Sequence, residues 1–166
     1  TLFNWGDSTW WIMGSYYLRE WHMRWFNDHM DEGVNVRDLG EEVVGFSLSG
    51  PNSRKVIEKL TDQPVGLLPF MGCGDFDIGL IRAKVARMSV TGELGFEINS
   101  RLGDHITLRR ALLEAGAEFG IKEFGFIALL SLRIEKSFGI WSAEFTQGYT
   151  AGMTAMDRWI DWDKQG

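Results

Sequence analysis

Cysteine, proline and histidine are all scarce here: one, three and three in 166 residues. A single cysteine, Cys73, excludes an internal disulfide and fits a reducing compartment. It sits in "FMGCGDF" with no paired histidine or basic residue to make a thiolate, so it reads as a small loop or core residue. No apolar run approaches the roughly 20 residues of a membrane span. The opening "TLFNWGDSTW" lacks the charged and apolar regions of a secretory signal. Basic clusters are missing too. With a formal net charge of −6 the chain is a poor general nucleic-acid binder, because displacing counterions from phosphates needs a basic stripe.

What is abundant is aromatic. Eight tryptophans and eleven phenylalanines imply a well-filled core, a large pocket, or a face covered by another domain. The length suits one domain or a large piece of a bigger protein. With no initiating methionine and an abrupt stop after "DWDKQG", the chain reads as an excised piece.

Along the chain, "LFNWGDSTWWIM" reads as a hairpin turning at Gly6-Asp7. Residues 16–30 read as a helix, with Leu18, Trp21 and Trp25 as its apolar stripe. His22 and His29 are two turns apart on that helix, too far to share one ion unaided, and read as solvated. After a polar link, "VVGFSLSG" is a strand and "GPNSRKVIEKLTD" a helix with Pro51 just inside its start. Residues 64–75 read as a loop. Ile78 to Val90 reads as extended chain, on which Phe96–Asn99 pairs back after a tight glycine turn. "GDHITLRRALLEAG" predicts a helix capped by Gly116, and a second helix over 124–138 carries Ile127, Leu130 and Ile134 on one face. The remainder reads mostly as loop. An antiparallel central pair interleaved with helices predicts an α+β fold, an antiparallel sheet with packed helices, over a doubly wound parallel sheet.

No nucleophile elbow, P-loop, Cys/His pair or dinucleotide fingerprint occurs. "GCGDFDIG" has acids and glycines without calcium-loop spacing and reads as a loop. Two charged residues on apolar elements stand out. Glu97 lies opposite Phe96 and Ile98 by the period of two. It is either a wet residue on a half-exposed sheet or a carboxylate accepting a heterocycle's N–H groups. Arg133, in "SLRIEKSFG", is either a salt-bridged helix arginine or a fixed cation for a carboxylate-bearing ligand. Pattern alone leaves both pairs of readings open.

"RMSVTGELGFEI" resembles the R-x-x-Y-T-G-E-x-G-(Y/F/W)-E-(I/L) hairpin of the glycine-cleavage T-protein family, the tetrahydrofolate-dependent aminomethyltransferases. Further matches follow in the family's order. "LSGPNSRKVIEKLTD" resembles its G-P strand-to-helix step and "LLSLRIEKSFGIWSAEF" its L-R-x-E helix. "AGMTAMDRWIDWDK" is similar to the A-G-L…D-K stretch. "IWSAEF", "YTAG" and "MDRWI" look closer to the folate domains of dimethylglycine and sarcosine dehydrogenases.

The resemblance implies a single partial folate-binding domain over 1–166. Its ligands would be tetrahydrofolate and a small amine donor, with FAD only in a separate domain of the parent. By position, Glu97 matches the glutamate that bonds the pterin ring and Arg133 the arginine associated with folate recognition; no catalytic residue is assigned. Val90 stands where the family has tyrosine, and the family's aspartate near folate N10 falls upstream of this chain. These departures keep a second expectation alive, a truncated or non-catalytic fragment inactive alone. Folate proteins of iron–sulfur assembly are a poorer fit, since their K-G-C-Y-x-G-Q-E signature is absent. The expected setting is cytoplasmic, or the mitochondrial matrix in a eukaryote. Flanking domains or a homo-oligomer are expected to cover an apolar face.

Overall fold

In a computed structural model describing residues 1–165, the alternating apolar stretches form two antiparallel sheets. β1 (Leu2–Gly6) and β2 (Thr9–Ile12) make a hairpin whose turn puts Gly6, Asp7 and Ser8 at positive φ. The main sheet has the order β3-β6-β5-β4, with β3 at Val43–Ser49, β4 at Cys73–Ile78, β5 at Ile81–Ala86 and β6 at Gly95–Arg101. The helices are α1 (Arg19–His29), α2 (Ser53–Glu58), α3 (His105–Gly116) and α4 (Phe126–Glu135). This is the α+β architecture that the pattern predicts.

Period-two alternation sends one face of the main sheet into a single core. Leu48, Ile78, Ile81, Ala83, Val85, Phe96 and Ile98 meet Val56 and Ile57 of α2 and Leu108 and Leu112 of α3. β6 is interior, bonded to β3 and β5 at once, and the start of its run is pinned. Gly50 N–H and the Ser53 hydroxyl both donate to the Leu94 carbonyl, at 2.8 and 3.0 Å. Gly95 has no room for a side chain, since a Cβ would lie 2.7 Å from Ser89 Cβ and 3.0 Å from the Leu48 carbonyl oxygen.

Several local readings change. The chain over 73–86 is a hairpin of β4 and β5, so "GCGDFDIG" is mostly strand and the loop before it ends at Gly72. Gly79 at φ +60 makes the turn and leaves Leu80 fully exposed at its tip. Residues 87–94 are an irregular connection, with the strand ending at Ala86. Pro51 precedes α2 and lies outside it. Gly116 does not cap α3: it stays right-handed, and the helix tightens into a 3-10 turn that Gly120 ends at φ +70. Gly116 is instead a packing glycine, with the Ile121 side chain 2.7 Å from where its Cβ would be. The Leu18, Trp21 and Trp25 stripe is exposed, and of Ile127, Leu130 and Ile134 only Leu130 is half-buried, so neither stripe marks a buried helix face.

The chain divides into two compact units, Thr1–Ser89 with Glu93–Glu123, and Val90–Gly92 with Phe124–Gly166. In the second, α4 is followed mostly by turns, and a Cβ on Gly139 would run into the Phe145 ring. Among the described residues no helix is long and apolar enough to cross a membrane.

Leu108 fills the core where α3 meets the sheet. In urea unfolding, Leu108→Ala is expected to cost about 2–5 kcal/mol, whereas Leu80→Ala at the exposed turn stays within about 0.5 kcal/mol of the parent.

Candidate functional site

The second face of the main sheet carries the polar half of each strand. Over β4 and β5 it is covered by the β1–β2 hairpin. Lys84 pairs with Asp75 at 3.0 Å and lies 4.6 Å from the Trp5 ring and 5.6 Å from the Trp11 ring. An ammonium held over two indoles and against a carboxylate is attracted by all three. Cys73 adds a thiol hydrogen bond to the Asn4 carbonyl at 3.2 Å, and burial pushes that thiol's pKa up. The thiol is thereby kept protonated, in keeping with a structural cysteine.

Over β3 and β6 the same face is open. It floors a cavity of about 680 Å3, a size typical of small-molecule sites. Register places Ser47 beside Glu97 and Gly45 beside Asn99 on that floor. Trp10 and Trp11 from the hairpin, and His22 and Phe26 from α1, line the walls. Every lining residue belongs to the first unit.

Glu97 faces this cavity as the period of two predicts, and it is half-buried there. Burial raises its pKa above the ordinary carboxylate value, with the Thr1 ammonium pulling weakly the other way. Asn99, one pleat along, is only 7% exposed, and its amide nitrogen is buried with no hydrogen-bond partner. Gly45 makes room for it, because any Cβ there would collide with the Asn99 amide oxygen and crowd the Ile98 carbonyl oxygen at 2.9 Å.

A charged cluster closes one side of the cavity. Arg19 reaches Asp38 at 3.0 Å and Glu41 at 2.8 Å, and the Tyr16 hydroxyl donates to Glu41 at 3.2 Å. The Arg19 bond holds the Glu41 carboxyl below its usual range, so this cation is already neutralised. The two histidines of α1 part company. His22 is half-buried in the cavity wall rather than solvated, while His29 is exposed, stacked on Trp25 at 4.3 Å and bonded through Nδ1 to the Trp25 carbonyl at 2.8 Å.

Arg133 lies in the second unit and is the buried residue of α4. Its Nη1 donates to the Phe138 carbonyl at 2.9 Å and to Glu144 Oε2 at 2.7 Å, clasping the segment after the helix. Glu144 also accepts the Ile140 N–H at 2.9 Å. That bond first and Arg133 second hold its carboxyl below the usual range. The Arg133 Nε is buried and unpartnered. The salt-bridged reading of this arginine is thus realised, with the buried Nε outside it. Val90, where the resemblance expects tyrosine, belongs to the same unit as Arg133.

Of the residues lining this cavity, sequence reasoning singled out Glu97, passed over Asn99, Gly45 and Ser47, and read His22 as solvated. Asn99 was within reach, since the period that turns Glu97 away from the core turns Asn99 the same way. Gly45 needed the register, which the sequence does not give.

Set against known families, residues 1–164 match the one described as the GCVT N-terminal domain. The mitochondrial dimethylglycine dehydrogenase of Homo sapiens is 33% identical over 127 residues, covering 74% of this chain and 15% of that protein. That of Mus musculus is 35% identical over 127 residues, with the same coverage of 74% and 15%. The aminomethyltransferase of Geobacillus thermodenitrificans is 34% identical over 123 residues, 74% of this chain and 34% of its own length. The chain therefore spans well under half the length of the curated relatives it matches.

Two outcomes follow from the electrostatics. Because burial raises the folded-state pKa of Glu97, protonation favours folding; that contribution is full below the ordinary carboxylate value and lost as pH rises through the raised one. Thermal unfolding of Glu97→Gln is therefore expected to show a higher Tm than the parent at pH 7, with the difference closing towards pH 4. Glu144 has the opposite sign, contributing above the ordinary value and losing its contribution as pH falls through the depressed one. Glu144→Gln is expected to loosen residues 138–144 and speed their limited proteolysis at pH 7, read by mass spectrometry, while cleavage elsewhere is unchanged.

Proposed function

The chain belongs to the GCVT N-terminal domain family, and from that premise we propose that it is the folate-holding part of a tetrahydrofolate-dependent one-carbon transfer enzyme. Its parent would resemble the dimethylglycine dehydrogenases or aminomethyltransferases it matches, with a small amine as one-carbon donor. The observation that carries this reading is Glu97, a carboxylate on the floor of an aromatic-walled cavity, destabilised there by burial. A pterin ring fits that environment. Its N–H edge gives the carboxylate the donors it lacks when desolvated, and its flat face suits Trp10, Trp11 and Phe26.

When bound, tetrahydrofolate supplies the amine nitrogens that take up the one-carbon unit. The chain's own part is to bind and orient. Glu97 fixes the ring's rotation, and the aromatic walls exclude water and fix its plane. Placing a nucleophilic nitrogen beside an activated carbon contributes through positioning more than through covalent chemistry. Arg133 is assigned to folate recognition on the resemblance, with its unpartnered Nε as the free donor. The exposed Trp21, Trp25 and Tyr17 are the surface that flanking domains of the parent, or a second copy, would cover.

Titration calorimetry with tetrahydrofolate tests the assignment. Saturable binding is expected, weakened at least about tenfold by Glu97→Ala through loss of a charge-assisted hydrogen bond. Affinity is also expected to fall as pH drops through the raised pKa of Glu97, because the ring's donors select the ionised form. Binding that is absent, or indifferent to Glu97→Ala, would remove this reading.

A further inference from the structure

Beside Glu97, the cavity floor holds a second polar group that neither the motif nor the family match assigns. Asn99 is 7% exposed, and its Nδ2 has no partner. A buried amide donor left unpaired costs stability, and an apolar residue of similar size would cost less. Its neighbours in the sheet cannot satisfy it. On one side the register partner is Gly45, which has no side chain; on the other it is Lys84, a donor itself and already engaged by Asp75, Trp5 and Trp11. Gly45 moreover leaves the amide the space it occupies. The group is thus housed and oriented but unsatisfied, the condition of a donor kept for a ligand.

We propose that Asn99 is a specificity-determining residue of this cavity. Its amide nitrogen and the Glu97 carboxylate form a donor–acceptor pair that selects a planar heterocycle presenting a ring N–H next to a ring carbonyl. Glu97 accepts the N–H and Asn99 donates to the carbonyl. A ring with an amino group in place of that carbonyl sets donor against donor and is rejected, since a site built to hydrogen-bond one group discriminates strongly against its mismatch. The proposal rests on the folate reading above and goes further, naming the edge of the ring that is read and the residue that reads it.

Folic acid and aminopterin are suitable probes, because their pteridine rings differ in carrying a carbonyl or an amino group at C4. Their affinities can be compared by titration calorimetry. The wild-type chain is expected to prefer folic acid on the order of tenfold. Asn99→Leu should shrink the preference by weakening folic acid alone, leaving the part that Glu97 supplies through the ring N–H that aminopterin lacks, and Asn99→Asp, which offers only acceptors, should lower it further. Gly45→Ala keeps Asn99 but crowds its amide, and should reduce the preference in the same direction. A purely structural amide would shift the melting temperature and leave the affinity ratio unmoved. A ratio unchanged in both Asn99→Leu and Gly45→Ala overturns the proposal, and if Glu97→Ala still weakens both ligands the folate reading survives it. Failure of folic acid to bind the wild-type chain overturns both.

Discussion

The alternation of β6 is the constraint on which the rest of the first unit depends. The strand is interior, bonded on both edges, so its two faces are both committed. Phe96 and Ile98 go into the core against α2 and α3, while Glu97 and Asn99 go to the cavity. A slip of one residue would exchange the two sets, driving a carboxylate and an amide into hydrocarbon. The cost of that exchange is what specifies the register. It also explains the fixings at the strand's start: two donors on the Leu94 carbonyl and a glycine too closely packed to be anything else. The core therefore positions the site directly, through a backbone phase.

The site in turn weakens the fold it is built on. A carboxylate with a raised pKa and an amide nitrogen with no partner are both unfavourable in the unliganded protein, and apolar or neutral substitutes would relieve them. The opposite face of the same strands, with Phe96, Ile98 and Val85 fully buried, offsets this. Polar groups that reduce stability are retained where they meet something else, and here both residues line one cavity. The Lys84–Asp75 pair shows the contrast. It too lies on the polar face, but its partners are within the chain, and it acts to hold the hairpin down.

How much of this was legible follows from the range of the interactions involved. The first hairpin, β3, α3 and the orientation of Glu97 depend on local periodicity and turn residues, and they can be read directly. The split of 73–86 into two strands was hidden because Leu80, an apolar residue, sits at an exposed turn tip and breaks the expected pattern. Gly116 looked like a cap because it follows the last apolar position; its real constraint, the Ile121 side chain folding back, is tertiary. The aromatic stripe on α1 misled for a related reason. Trp21 and Trp25 are exposed while His22 and Phe26 face the cavity, so apolar spacing alone chose the wrong face. Arg133 was legible as a helix arginine paired either with a carboxylate of the chain or with a ligand, but Glu144, eleven residues on in irregular chain, was not.

Trp11 joins the two functions of the polar face. One side of its ring environment is the Lys84 ammonium, with Trp5 edge-on at 5.3 Å, and it also lines the cavity. Its ring is therefore tied to the Lys84–Asp75 ion pair as well as to the cavity. Lys84 is in register with Asn99 as well, so one β5 residue borders both the hairpin's attachment and the unpaired amide. The seating of the hairpin and the shape of the cavity are consequently not independent. A change that frees Lys84 from Asp75 would release the wall formed by Trp11 and offer the ammonium to the floor beside Asn99, altering the charge that Glu97 meets. The cavity is thus a property of the whole second face, with the strand phase choosing its floor and the lysine holding its wall.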